Sequence, residues 1–172
     1  MERKYRAKIY KELQRQRDEL IETGSFISRF EPIFSDLYGV DGLTVGSSQY
    51  NLLNGLKTSK SVSDFFNTAW RVWMEVFVKT RMAQKIVAID TTTKEAVQEV
   101  LRNNVGVPFN QIVDQLKMFD RQRAMRIART EVAQMANESQ RQAAVAWKEE
   151  VGELTMYKIW MHRGAKDPRA HH

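Results

Sequence analysis

The sequence predicts a mainly α-helical protein: a helical N-terminal region, then a C-terminal helical unit built on one long helix and closed by a small β element. Three observations predict it. Residues 124–150 run without a glycine or proline, and apolar side chains recur there at three- and four-residue spacing. Residues 64–90 form a second uninterrupted run of helical period, whereas half of the chain's eight glycines fall between 39 and 55. After Gly152 the helical period disappears and β-formers dominate.

A chain of 172 residues with 42% hydrophobic content can bury one good core. No apolar run approaches the roughly 18 residues that span a bilayer, and the charged N-terminus lacks a signal-peptide apolar region, so no membrane role is expected and the cytoplasm is the expected place of synthesis. Without cysteine there are no disulfides, no thiolate catalysis and no cysteine-based zinc site. The net charge of +6 favours an anionic partner, and a solvated basic surface explains it equally well.

Residues 2–22 read as a helix with Tyr5, Ile9, Leu13, Gln16 and Leu20 on a narrow stripe and Gly24 as its stop. Its wet side is basic. Arg3, Lys4, Arg6, Lys8, Lys11, Arg15 and Arg17 make this arm the candidate for touching phosphates; the alternative is a charged helix held by its thin stripe against its own domain or a neighbouring subunit. Phe26, Ile27, Phe30, Ile33, Phe34 and Leu37 indicate a short helix. Gly39, Gly42, Gly46 and Gly55 then break the run, so 39–63 is expected to be turns with one brief helix at 49–56, an adaptable loop or joint. Two segments follow from this, 1–63 and 64–172.

The helix of 64–90 is entered through Ser63 or Asp64 as N-cap. Phe65, Phe66, Ala69, Trp73, Val76, Phe77, Ala83 and Val87 form one face, and Val78, Met82, Ile86 and Ile89 a second face on roughly the opposite side. A helix apolar nearly all round suits the middle of a bundle or a contact between copies, which makes 64–89 the candidate homo-oligomer surface. Trp70 and Trp73 are read as core rather than as a stacking platform for bases. Thr92 and Glu95 are spaced as a capping box that starts a short helix to about Asn104, and Val105-Gly106-Val107-Pro108 stops it. A separate helix is expected at 109–118. The pair suggests a helix-turn-helix, but two aspartates and one lysine in NQIVDQLKMFD suit a major groove poorly.

In the long helix of 124–150, Ala124, Ala128, Val132, Met135, Ala136, Ser139, Ala143, Ala146 and Trp147 share one side. Arg129 and Glu131 fall on opposite edges of that side, with Thr130 outside, so both charges are expected half-buried. Their expected role is architectural. Arg129 would bond the region of the terminal strand and Glu131 a basic group of a neighbouring helix, and Arg129→Ala would then cost about 1 to 3 kcal/mol. Residues 154–162 read as a strand, followed by a turn at Gly164-Ala165-Lys166-Asp167-Pro168.

The order of these parts resembles the head-morphogenesis domain of tailed bacteriophages, the family of the phage Mu minor head protein. The likeness covers about residues 90–172. It lies in Arg123-Ala124 and Ile127-Ala128-Arg129-Thr130-Glu131, then a strand with Trp160, then Asp167, Arg169 and His171 or His172. Family members continue past the histidine, so the resemblance implies that a chain ending at His172 is partial. It further implies a minor head protein in the virion, placed in the host cytoplasm during assembly, with the portal protein or the major capsid protein as partner, double-stranded DNA as a further candidate contact, and a role in head assembly or DNA delivery. The alternative from the residues alone is a stand-alone helical nucleic-acid-binding protein using its basic arm.

No nucleophile, Gly-rich phosphate loop or carboxylate pair accompanies Arg129 and Glu131, so neither an enzyme nor a cofactor is expected. His162, His171 and His172 lie near Asp167, but without further ligands at fixed spacing no metal site is expected either.

Overall fold

The described residues form four continuous helical runs, and Gly24, Pro108 and Gly152 mark three of their ends. The structure is a computed structural model and describes residues 1–55 and 63–152. The first run is α1 (Glu2–Thr23), ended by Gly24 in the left-handed region at φ 77°, whose N–H donates to Leu20 O at 3.0 Å. The second joins α2 (Phe30–Ser35), a π-helical turn (Asp36–Asp41) and α3 (Gly42–Gly55). The third joins α4 (Ser63–Phe77), a second π-helical turn (Val78–Met82) and α5 (Ala83–Asn103). The fourth is α6 (Phe109–Val151), 43 residues entered through Pro108 and ended at Gly152, about 65 Å at 1.5 Å per residue.

The protein is mainly α, as expected, and four local expectations are corrected. Residues 109–118 are not a separate helix: Phe119 to Arg123 holds no breaker, so they run straight into α6. Nor does a new helix start at Thr92. Its hydroxyl bonds the carbonyls of Ala88 (2.8 Å) and Ile89 (3.1 Å) in the preceding turn, and α5 runs through it.

Residues 42–55 are helix rather than loop, because the glycines serve packing. A Cβ on Gly42 would lie 2.7 Å from the Trp70 ring, and one on Gly46 would lie 2.3 Å from Phe66 and 3.3 Å from the Ser139 carbonyl. These two turns of α3 therefore lie against α4 and α6 as only glycine allows.

The two apolar stripes of 64–90 are one face. Buried Phe66, Trp70 and Phe77 keep α-helical spacing, the next buried residue is Met82, five positions on, and Thr93 and Val97 continue the line. The five-residue step of the π turn rotates the second stripe onto the side of the first. Phe65, Val72, Val76 and Val87 are left exposed, at 43%, 61%, 59% and 63%.

The α1 stripe is buried as expected, Tyr5, Ile9, Leu13, Gln16 and Leu20 included. So is the α6 stripe, with Ala124, Ala128, Met135, Ser139, Ala143, Ala146 and Trp147. Trp70, 2% exposed, lies in the core with Phe66 and Tyr50, and Trp73 packs against it. Residues from both segments share one core: Tyr5 and Phe34 cluster with Phe77 and Met135. The first half of α6 receives α1; the second receives α3 and α4. Among the described residues, no helix is long and apolar enough to cross a membrane.

The expected strand at 154–162, with Trp160, and the turn holding Asp167, Arg169, His171 and His172 lie outside the described residues, as do the expected loop's residues 56–62 and the side chains of Ser63 and Asp64.

Candidate functional site

The site begins at Glu131. Helical spacing puts it on the buried side of α6 between Ala128 and Met135, 6% exposed. A carboxylate there must be fully bonded. Tyr38, carried by the first π turn, donates its hydroxyl at 2.8 Å, and Lys85 of α5 donates to both oxygens at 2.8 and 2.9 Å. Lys85 also reaches Gln134 and lies over the Tyr38 ring. Burial, then the Glu131 charge, pushes the Tyr38 hydroxyl far above its usual range, so it stays a donor.

Beyond this anchor the helices part, and a groove of about 850 Å³ opens along the second half of α6. Tyr38 and Phe77 line it, with Arg81 and Lys85 from the side of α4 and α5 and Asn137, Gln140, Arg141 and Lys148 from α6. Gln49 of α3 and Gln134 add two more amides. Glu138 is the carboxylate of this lining. Burial works to raise its pKa, but bonds from Arg141 (2.6 Å) and Gln142 (2.9 Å) outweigh that and hold it below the usual range. Arg81 and Lys148 are exposed and make no ion pair among the described residues. The groove is thus cationic, rich in amides and partly aromatic.

The expected site residues are not all in one place. Glu131 receives a basic group from an adjacent helix, as anticipated. Arg129 is different: its side chain is 69% exposed, its ionic neighbour is Glu2 at 4.0 Å, and Thr130 is exposed beside it. Arg129 is therefore exposed rather than half-buried, because at this level the core side of α6 is taken by Ala128 and Glu131; its expected bond to the terminal strand lies outside the described residues.

The basic arm divides as well. Lys4 lies 3.3 Å from Asp36 and 3.4 Å from Asp41, and Lys8 bonds Asp36, whose carboxyl is held low by Lys8 first and then by Lys4 against burial. Arg15 bonds Glu12 at 2.6 Å, Glu19 and the Ile27 carbonyl. Arg17 is buried at 3% exposure and bonds Asp120 of α6 and Asp18. Arg3, Arg6 and Lys11 remain exposed with no ion pair among the described residues.

A second buried cluster surrounds Arg17. Asp120 is fully buried, and burial pushes its carboxyl up to about 6, against the pull of Arg17. One turn later Arg123 bonds the Ile89 carbonyl at 2.9 Å, its pKa lowered by burial and then by Arg126. Asp90 bonds Gln16 (2.9 Å) and Ser28 (3.1 Å), with burial raising it. The sequence held one signal for this cluster: Asp120 stands four residues from both Leu116 and Ala124, a polar residue on an apolar stripe.

Compared with known proteins, the chain matches no family model, no curated protein and no solved structure. Among the described residues, no group of three or more His, Cys, Asp or Glu side chains converges to hold a metal.

Proposed function

We propose that this chain is a minor head protein of a tailed bacteriophage, acting in head morphogenesis by docking rather than by catalysis. The observation that carries the reading is the segment Ile127 to Glu131 within a helix of 43 residues, followed in sequence by Trp160 and by Asp167-Pro168-Arg169-Ala170-His171. Glu131 supports a structural role for that segment, since it ties the first π turn and α5 to α6 and is not presented to a substrate. The proposed partner is the portal protein or the major capsid protein, met through the exposed apolar strip Phe65, Val72, Val76 and Val87. The proposed location is the phage head, after assembly in the host cytoplasm.

Co-purification with the portal protein of the same phage, at low and at high salt, tests this. Association at both salts is expected of an apolar contact, and no association at either overturns the reading. If light scattering instead shows a dimer that Val72→Glu and Val76→Glu dissolve, the strip joins copies of this chain.

A second reading is direct binding of double-stranded DNA, with Arg3, Arg6 and Lys11 as the free phosphate contacts. Deleting α1 would remove Tyr5, Ile9 and Leu13 from the core, so substitution is the cleaner test. Changing the three to Gln should lower the salt slope by roughly 0.9 per lost phosphate contact. Unchanged DNA binding in that variant ends this reading of the arm.

A further inference from the structure

We infer that the groove beside Glu131 receives an acidic, extended polypeptide segment of a partner protein. The inference does not require the chain to be a head protein. Charge is the first argument: Arg81 stands on one wall and Lys148 on the other, both exposed and without an ion pair among the described residues. Lys85 and Arg141, also in the lining, are already bound to Glu131 and Glu138. Two cations from different helical runs therefore line the space without an ion pair of their own, Arg81 acting on Glu138 only at longer range, and carboxylates complement them.

The neutral lining decides between a peptide and a nucleic acid. Gln49, Asn137 and Gln140 each offer an N–H donor and a carbonyl acceptor, and none has a hydrogen bond among the described residues. A phosphate backbone has only acceptors and would leave the amide oxygens unmatched. A peptide backbone supplies donors and acceptors alternately. The apolar part of the groove, Phe77 with Ala144 and Val145, suits the side chains that an extended segment turns inward between its outward ones. The volume of about 850 Å³ falls within the roughly 300 to 1,000 Å³ of sites that enclose a ligand of peptide-fragment size. The walls are also set in advance, since Tyr38, Lys85 and Glu131 bond one another below the groove, which lowers the ordering cost of binding.

The test is a titration of the ¹⁵N-labelled chain with three capped decapeptides, in which valine alternates with glutamate, glutamine or lysine, and with a ten-base-pair DNA duplex. The glutamate peptide is expected to move the side-chain amide signals of Gln49, Asn137 and Gln140 and to bind about tenfold tighter than the glutamine peptide. The double substitution Arg81→Gln with Lys148→Gln should remove that advantage, whereas Arg3→Gln with Arg6→Gln should leave it intact. Both pairs are exposed, and unchanged melting temperatures would show that the variants fold.

Equal binding of the glutamate and glutamine peptides, or shifts only outside the groove, overturns the inference. DNA that moves the same amides as strongly, or self-association that broadens them as the chain is concentrated, overturns it in favour of that occupant. Portal co-purification can fail while the peptide binds, or succeed while it does not, so the two proposals fail separately.

Discussion

The two halves of α6 are held to the rest of the molecule by different chemistry. The first half, from Ile112 to Ala128, meets α1 across apolar side chains and a buried ion pair, Arg17 with Asp120, that spans 103 positions in sequence. The second half is lined by small residues, Ser139, Ala143 and Ala146, against Gly42 and Gly46 of α3 and the rings of Phe66 and Trp70 of α4. An ion pair is directional and sets register at the cost of desolvating two charges. Small-against-large packing depends on volume, and here Trp147 adds a bond to Asn54 at 3.0 Å and Tyr50 one to Glu150. Free charge remains beside both halves: α6 takes only Arg17 from the basic side of α1, leaving Arg3, Arg6 and Lys11 in water, and along the packed half Arg81 and Lys148 make no ion pair among the described residues.

Arg17→Ala should break the comparison most severely. It leaves Asp120 buried without its cation, and the expected cost is about 3 to 5 kcal/mol in denaturant unfolding. A loss below 1 kcal/mol would mean that the pair does not hold α1 to α6. The packed half is expected to answer next. Gly46→Val gains helix propensity but drives side-chain atoms into the Phe66 ring and toward the Ser139 carbonyl, for a net loss of about 1 to 3 kcal/mol. The same change at Gly55, where nothing lies within 4 Å of a Cβ, should be neutral or stabilising.

The buried pair also predicts a pH dependence. The Asp120 carboxyl ordinarily titrates at 3.8 and in the fold at about 6. Between those values the unfolded chain has already released the proton and the folded chain still holds it. Stability attributable to this group is therefore present below 3.8 and is lost as pH rises through 6. Wild type should lose stability relative to Asp120→Asn over that window, and parallel curves would show that Asp120 does not titrate in this way. The smallest effect belongs to Arg129→Ala, within about 0.5 kcal/mol, since the side chain is exposed and its ionic neighbour among the described residues is 4.0 Å away. A loss of 1 to 3 kcal/mol would restore the clamp that the sequence suggested.

What the sequence by itself determined is local. The helical character, the ends at Gly24, at Val105 to Pro108 and at Gly152, and the buried stripes of α1 and α6 follow from backbone geometry and a period of 3.6. A single helix expresses both before it meets another. Even Glu131, on the edge of a stripe, could be assigned a basic partner, although which one was not readable.

The tertiary structure decided what depends on contact between distant segments. Glycines 42 and 46 signal a break by propensity, and only the approach of Phe66 and Trp70 makes them helix. The stripes of 64–90 look opposed until the turn at 78–82 inserts one residue, and packing against α1 and α6 selects that register. Arg3 and Arg17 are alike in the sequence, yet Asp120 takes one into the core and leaves the other in water. The groove is the plainest case, since its walls come from residues 38 to 148 and exist only once three helical runs stand side by side.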